Sequence, residues 1–180
     1  SNIHRRGCVW YTYRCMASGS EQKKLKIGWF SFSCCEDSTI MMTEILNDHY
    51  QEWFKLLDVR NAKILRRSRP LEEHLDVAFV EGAINSHKQE AELKKIREHC
   101  TKLVAIGSCA VTSMPSGHRN LFDEARQKET EAILTRFDYQ DKVKKLADIV
   151  KVDAQVPGCP MDEKMFVDTV NTTLKEFNII

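Results

Sequence analysis

From Leu25 onward the chain alternates apolar runs with amphipathic stretches. Lys26–Phe32 is apolar and aromatic, the pattern of a strand. Asp37–Leu57 places Ile40, Met41, Ile45, Leu46, Trp53 and Leu57 at mainly helical intervals. A shorter strand is predicted at Asn61–Leu65. Leu75–Val80 and Lys102–Ile106 are mainly apolar runs, closed by Gly82 and Gly107, as expected of strands buried on both faces. Between them Ser86 is a predicted N-cap, with Gln89 completing a capping box, for a helix reaching His99. Asn120–Arg136 is polar and mostly helical. Asp148–Ala154 is the last predicted strand and Asp162–Phe177 the last helix.

This alternation predicts an α/β fold: a five-stranded, mostly parallel sheet with helices on both faces, in the flavodoxin-like order 2-1-3-4-5. The 180 residues suffice for one globular domain, expected over 25–180. Residues 1–24 carry Trp10, Tyr11 and Tyr13 without an apolar period and are expected to form a flexible or partner-docking tail. With 27 Lys plus Arg against 26 Asp plus Glu, the net charge is +1, which provides no broad basic face for nucleic acid. No apolar run approaches the roughly 18 residues of a membrane span, and Ser1–Ser20 lacks the apolar core of a secretory signal. A cytoplasmic location is therefore expected, and in such a compartment seven cysteines are more often ligands or catalytic groups than disulfides.

Their placement carries the chemistry. Ligands of open parallel sheets sit beyond the carboxyl ends of the strands. Cys34 and Cys35 follow the first predicted strand, Cys109 follows Ile106 in Gly107-Ser108-Cys109-Ala110, and Cys159 follows the last strand in Pro157-Gly158-Cys159-Pro160. Four thiols from three segments should thus meet at one edge, with Glu81-Gly82-Ala83 as a floor of small residues. Gly82, Gly107 and Gly158 are candidates for letting backbone approach a bulky bound group. Adjacent cysteines suit tetrahedral zinc poorly and a multi-iron cluster better, since each can take a different iron. A disulfide between neighbours is strained. Taken singly, Cys109 or Cys159 also reads as a small buried hydrophobe, as Cys100 does at the opposite end of its strand.

Phe32-Ser33-Cys34-Cys35, Phe79-Val80-Glu81-Gly82-Ala83-Ile84, Gly107-Ser108-Cys109-Ala110-Val111-Thr112 and Val156-Pro157-Gly158-Cys159-Pro160 together resemble the small subunit of [NiFe]-hydrogenases. They also look like the homologous iron–sulfur subunit of respiratory complex I. The likeness runs from about Leu25 to Leu174 and is nearest to cytoplasmic, multimeric hydrogenases. It implies one [4Fe–4S] cluster on Cys34, Cys35, Cys109 and Cys159, and a nickel–iron centre in a partner large subunit. It also implies electron-accepting flavin or iron–sulfur subunits beyond. Hydrogenase small subunits usually open the first motif with two cysteines separated by two residues; here that first position is Phe32. The tandem pair is similar to the complex I arrangement, so a relay serving quinone reduction or ion pumping is the alternative. Cys8, Cys15 and Cys100 are scattered, and a single cluster is expected.

Further candidates are weaker. Glu36 and Glu81 are acids near the expected edge, suited to proton transfer or to seating a partner. Met114–Asn120 reads as an interface loop or a plain surface loop, with Arg119 directed toward acidic groups or the cluster region. The six histidines show no ligand spacing. No Gly-x-Gly-x-x-Gly follows the first strand and no Walker loop occurs, so dinucleotide and nucleoside triphosphate binding are not expected.

Overall fold

The computed structural model describes residues 23–68, 70 and 73–180. The expected tail lies outside them except for Lys23 and Lys24. Both are pinned to the body: Lys23 Nζ donates to the Phe177 carbonyl at 3.0 Å and Lys24 Nζ to that of Phe54 at 2.9 Å.

The chain forms β1 (Leu25–Ser31), α1 (Asp37–Asp48), α2 (Tyr50–Leu56), β2 (Leu57–Ala62), β3 (Arg67–Ser68) and β4 (Leu75–Glu81). It continues through β5 (Ile84–Ser86), α3 (His87–Glu98), β6 (Cys100–Ile106), α4 (Gly107–Thr112), α5 (Glu124–Arg136), β7 (Tyr139–Lys144), β8 (Ala154–Val156) and α6 (Glu163–Glu176). The main sheet has the order β3-β2-β1-β4-β6-β8, parallel throughout except for the two-residue β3. Its five parallel strands take the expected 2-1-3-4-5 order. The sheet is wider than predicted by β3, and a separate antiparallel pair, β5 with β7, was not anticipated.

Alternate residues of each strand face opposite cores, as strand geometry requires. Trp29, Val77, Phe79, Val104, Ile106 and Val156 pack under α1, α2 and α6, against Met42, Trp53 and Phe166. Phe30, Ala78, Val80, Leu103 and Ala105 pack on the other face against Leu93 and Ile96 of α3 and Ala110 of α4. Trp29, Phe79, Trp53 and Phe166 form an aromatic cluster in which Phe166 meets the other three edge-on at 5.6–6.2 Å. Such contacts add to the burial term that dominates folding.

Several boundaries differ from the sequence expectation. The predicted helix 37–57 is interrupted at His49, whose ring stacks on the buried Trp53 at 4.9 Å. The second strand is Leu57–Ala62 rather than Asn61–Leu65, because Leu57 and Val59 register with Leu25 and Ile27 of β1; Lys63–Leu65 is a 3₁₀ turn. The last strand is Ala154–Val156 rather than 148–154. Pairing with β6 begins only at Val104 and Ala154; just before it, Asp153 is held by its side chain and its N–H to Leu103, both at 2.9 Å. The polar helix begins at Glu124, capped by Asp123, and buries none of its side chains. Ser86 caps α3 as expected, accepting from Gln89 N–H at 3.3 Å. The Gln89 side chain reaches past the cap to accept from Asn85 N–H and to pair with Ser33. Cys100 opens β6, buried and remote from the carboxyl edge.

Candidate metal centre

The sheet register explains how the cysteines meet. Ser31, Glu81, Ile106 and Val156 lie in one row across β1, β4, β6 and β8. Cys34, Cys109 and Cys159 each stand three residues beyond that row. All four candidate thiols line a single cleft together with Asp37, Ser38, Glu81, Ile106, Gly107, Ser108, Gly158 and Pro160. Cys109 is buried, Cys34 half-buried, and Cys35 and Cys159 exposed. Cys34 lies within electrostatic reach of Cys109, and Cys35 of Cys159. Among the described residues no three His, Cys, Asp or Glu side chains converge as a mononuclear site requires.

Backbone hydrogen bonds lock the three loops to one another. Phe32 N–H donates to the Glu81 carbonyl at 2.8 Å, and Ser33 and Ala83 exchange two bonds of 3.0 Å. Ser108 N–H donates to the Gly158 carbonyl at 2.7 Å, and Met161 N–H to Ser38 Oγ at 3.2 Å. The glycines have a reason within the chain itself. Gly107 and Gly158 line the cleft and Gly82 does not. All three have positive φ, and a Cβ on Gly82 would meet the backbone of Phe32 and Ser33, one on Gly158 that of Pro160 and Asp162. Glycine is required at those two positions by chain against chain.

Burial pushes the Cys34 thiol up to about 12, with the nearby Glu81 acting in the same direction; the Glu36 N–H opposes it. The Asp37 N–H pulls the Cys35 thiol down, but burial and the Asp37 carboxyl outweigh it and the net shift is upward. The donor set fits a multi-iron cluster: four soft thiols from three segments, spread around one cleft.

Glu81 is 3% exposed. Its carboxyl accepts from Thr39 Oγ1 at 2.5 Å and Ser38 N–H at 3.2 Å, and Thr39 in turn accepts from Trp29 Nε1 at 2.8 Å. Desolvation raises its pKa, with these donors opposing. Buried at the cleft floor, Glu81 has no face for seating a partner. Glu36 is exposed, adopts a left-handed conformation before α1 and makes no side-chain cap. Arg119 turns away from the cleft: its guanidinium donates to the Gln140 carbonyl at 2.6 Å and lies over the Tyr139 ring. The Met114–Asn120 loop thus braces β7, with Asn120 pairing Val143 twice at 2.8 Å. His49, His74, His99 and His118 engage Trp53, Thr101, the Lys95 carbonyl and Phe122 respectively. Sequence reasoning missed Ser116, whose Oγ lies 3.2 Å from Cys109 Sγ. Its only local signal is a polar residue in a Pro-Ser-Gly turn.

The chain is 29% identical over 161 residues to a vhu subunit of the F420-non-reducing hydrogenase of Methanocaldococcus jannaschii, covering 81% of this chain and 54% of that one. It is 30% identical over 119 residues to NAD-reducing hydrogenase HoxS subunit delta of Cupriavidus necator, covering 55% of this chain and 57% of that one. It spans about half the length of these curated relatives. Its fold matches a chain in the crystal structure of NAD+-reducing [NiFe]-hydrogenase in the H2-reduced state. The TM-score is 0.69 at 19% identity, over 85% of this chain and 93% of that one. The resemblance to hydrogenase small subunits is borne out by these relatives. Residues 34–173, from the first candidate ligand to the last helix, match the family NADH ubiquinone oxidoreductase, 20 Kd subunit, and the chain belongs to that family.

Proposed function

We propose that this chain is the electron-transfer small subunit of a cytoplasmic [NiFe]-hydrogenase, holding one [4Fe–4S] cluster on Cys34, Cys35, Cys109 and Cys159. The observation that carries the reading is the row Ser31–Glu81–Ile106–Val156, which sets three cysteine segments around one cleft. When bound, the cluster supplies one-electron transfer between the nickel–iron site of a partner large subunit and a further flavin or iron–sulfur subunit.

The residues of this chain do the rest. The loop-to-loop hydrogen bonds fix the thiols before any metal arrives, which reduces the ordering cost of ligation. The N–H groups of Glu36 and Asp37 lie beside the Cys34 and Cys35 thiols and act to favour negatively charged sulfur. Glu81, driven by burial toward its protonated form, provides a proton-holding group at the cleft floor. Among the described residues no helix is long and apolar enough to cross a membrane.

Anaerobic purification followed by iron, sulfide and EPR analysis tests the reading. About four irons with matching sulfide and a reducible paramagnetic centre are expected. A folded, iron-free protein after anaerobic reconstitution overturns it. The tandem Cys34–Cys35 favours a second reading, a complex I-like relay serving quinone reduction or ion pumping. A copurifying nickel-containing partner with hydrogen-dependent dye reduction selects the hydrogenase; a nickel-free partner selects the alternative.

A further inference from the structure

We propose that Ser116 is a positioning residue for the sulfur of Cys109, and that its hydroxyl turns between that sulfur and the Ser33 carbonyl according to the charge on sulfur. The inference rests on the iron–sulfur reading of the site.

Ser116 Oγ lies 3.2 Å from Cys109 Sγ and 2.9 Å from the Ser33 carbonyl oxygen. It therefore joins the first and second cysteine segments, which are 83 residues apart along the chain at this bond. A tight turn holds it there. Ser113 N–H donates to the Cys109 carbonyl at 3.0 Å, and Gly117 N–H to the Ser113 carbonyl at 2.6 Å, so the chain folds back over the end of α4. A Cβ on Gly117 would meet the Ser113 carbonyl oxygen at 2.7 Å, which leaves the turn no slack.

A hydroxyl has one proton and two lone pairs. With Cys109 as a thiol, S–H donates to Oγ and O–H donates to the Ser33 carbonyl. As a metal ligand Cys109 has lost its proton to solvent and its sulfur only accepts. A hydroxyl still aimed at Ser33 then presents a lone pair to an anionic sulfur. Rotation about the Cα–Cβ bond moves the proton onto sulfur instead. The Ser33 carbonyl tolerates that loss, because it keeps a 3.0 Å bond from Ala83 N–H. A donor to sulfur stabilises the reduced, more negative state, so Ser116 raises the reduction potential.

The test uses holoprotein and four forms: wild type, Ser116→Ala, and the isosteric pair Ser116→Thr and Ser116→Val. Iron and sulfide are measured first, then the midpoint by EPR-monitored titration, then couplings to exchangeable protons in H2O and D2O. The expected result is wild-type iron content throughout, with midpoints lowered in Ser116→Ala and Ser116→Val by up to tenfold in the reduced-to-oxidised ratio. For one electron that factor is about 59 mV. Ser116→Thr keeps the wild-type midpoint, and one exchangeable-proton coupling disappears only in the two variants without a hydroxyl. Loaded variants with unshifted midpoints and unchanged couplings overturn the role of Ser116 and leave the cluster reading standing. So does an equal shift in the Thr and Val forms. A wild-type protein that takes up no iron overturns both.

Discussion

Replacing Gly82 by alanine separates two reasons for a glycine beside a metal site. The residue has φ +93°, and an added Cβ would lie 2.8 Å from the Phe32 carbonyl carbon and 2.9 Å from the Ser33 nitrogen. Holding an L-residue in so sparsely populated a region costs about 1–3 kcal/mol. The steric part falls on backbone, which has no rotamer to give way: carbon contacts are comfortable only at about 3.5–4.0 Å. Phe32 and Ser33 must therefore shift by several tenths of an ångström, straining the two Ser33–Ala83 bonds and moving Cys34. The combined cost is about 2–4 kcal/mol, at the upper end of single substitutions. In a domain of this size that is a fall in Tm of roughly 5–15 °C. Urea and thermal melts of metal-free wild type and Gly82→Ala measure it directly. Because the clash is protein against protein, the loss must appear without any metal. An unchanged metal-free stability, with iron binding alone impaired, would refute the reasoning and return Gly82 to a cofactor-contact role.

Further outcomes follow from other parts of the fold. Cys100→Ala leaves iron and sulfide content unchanged while lowering stability by about 1–2 kcal/mol, because a buried thiol with Arg97 contacts is lost far from the cleft; reduced iron would place Cys100 in the site. Phe166→Ala, which removes the ring meeting Trp29, Trp53 and Phe79, costs about 3–5 kcal/mol in a denaturant melt. The Glu90 carboxyl, held at about 2 by Lys94, Gln140 and Lys144, lies below its ordinary 4.5. Its contribution is complete above about pH 4.5 and disappears as pH falls toward 2. After allowance for solvent screening it is about 1 kcal/mol. Glu90→Gln should therefore flatten the stability profile in that acid window, and an unchanged slope would contradict the ion-pair assignment.

What the amino-acid order determined by itself was the part written in contiguous residues. Leu75–Glu81 and Cys100–Ile106 are buried over most of their length, so the apolar runs Val77–Val80 and Leu103–Ile106 announced them, and Ser86 announced its helix through a side chain that bonds three residues ahead. Cys34, Cys35 and Cys109 were legible because they follow apolar strands, and Cys159 because it lies in a Pro-Gly-Cys-Pro turn. Elements stabilised mainly by distant partners were not. β2 alternates Leu57 and Val59 with Asp58 and Arg60, and β7 is mostly polar, so neither matches a continuous apolar template. β8 is three residues long, and its limits are set by where β6 can receive it. Tertiary structure alone decided that Gly82 is demanded by the backbone of β1's loop, that Arg119 supports β7, and that Ser116 reaches Cys109. Burial and capping leave a local record because neighbouring residues share one environment. The meeting of Ser116 with Ser33 leaves none, because it depends on the register of parallel strands joined through helices, and no nearby residue encodes that register.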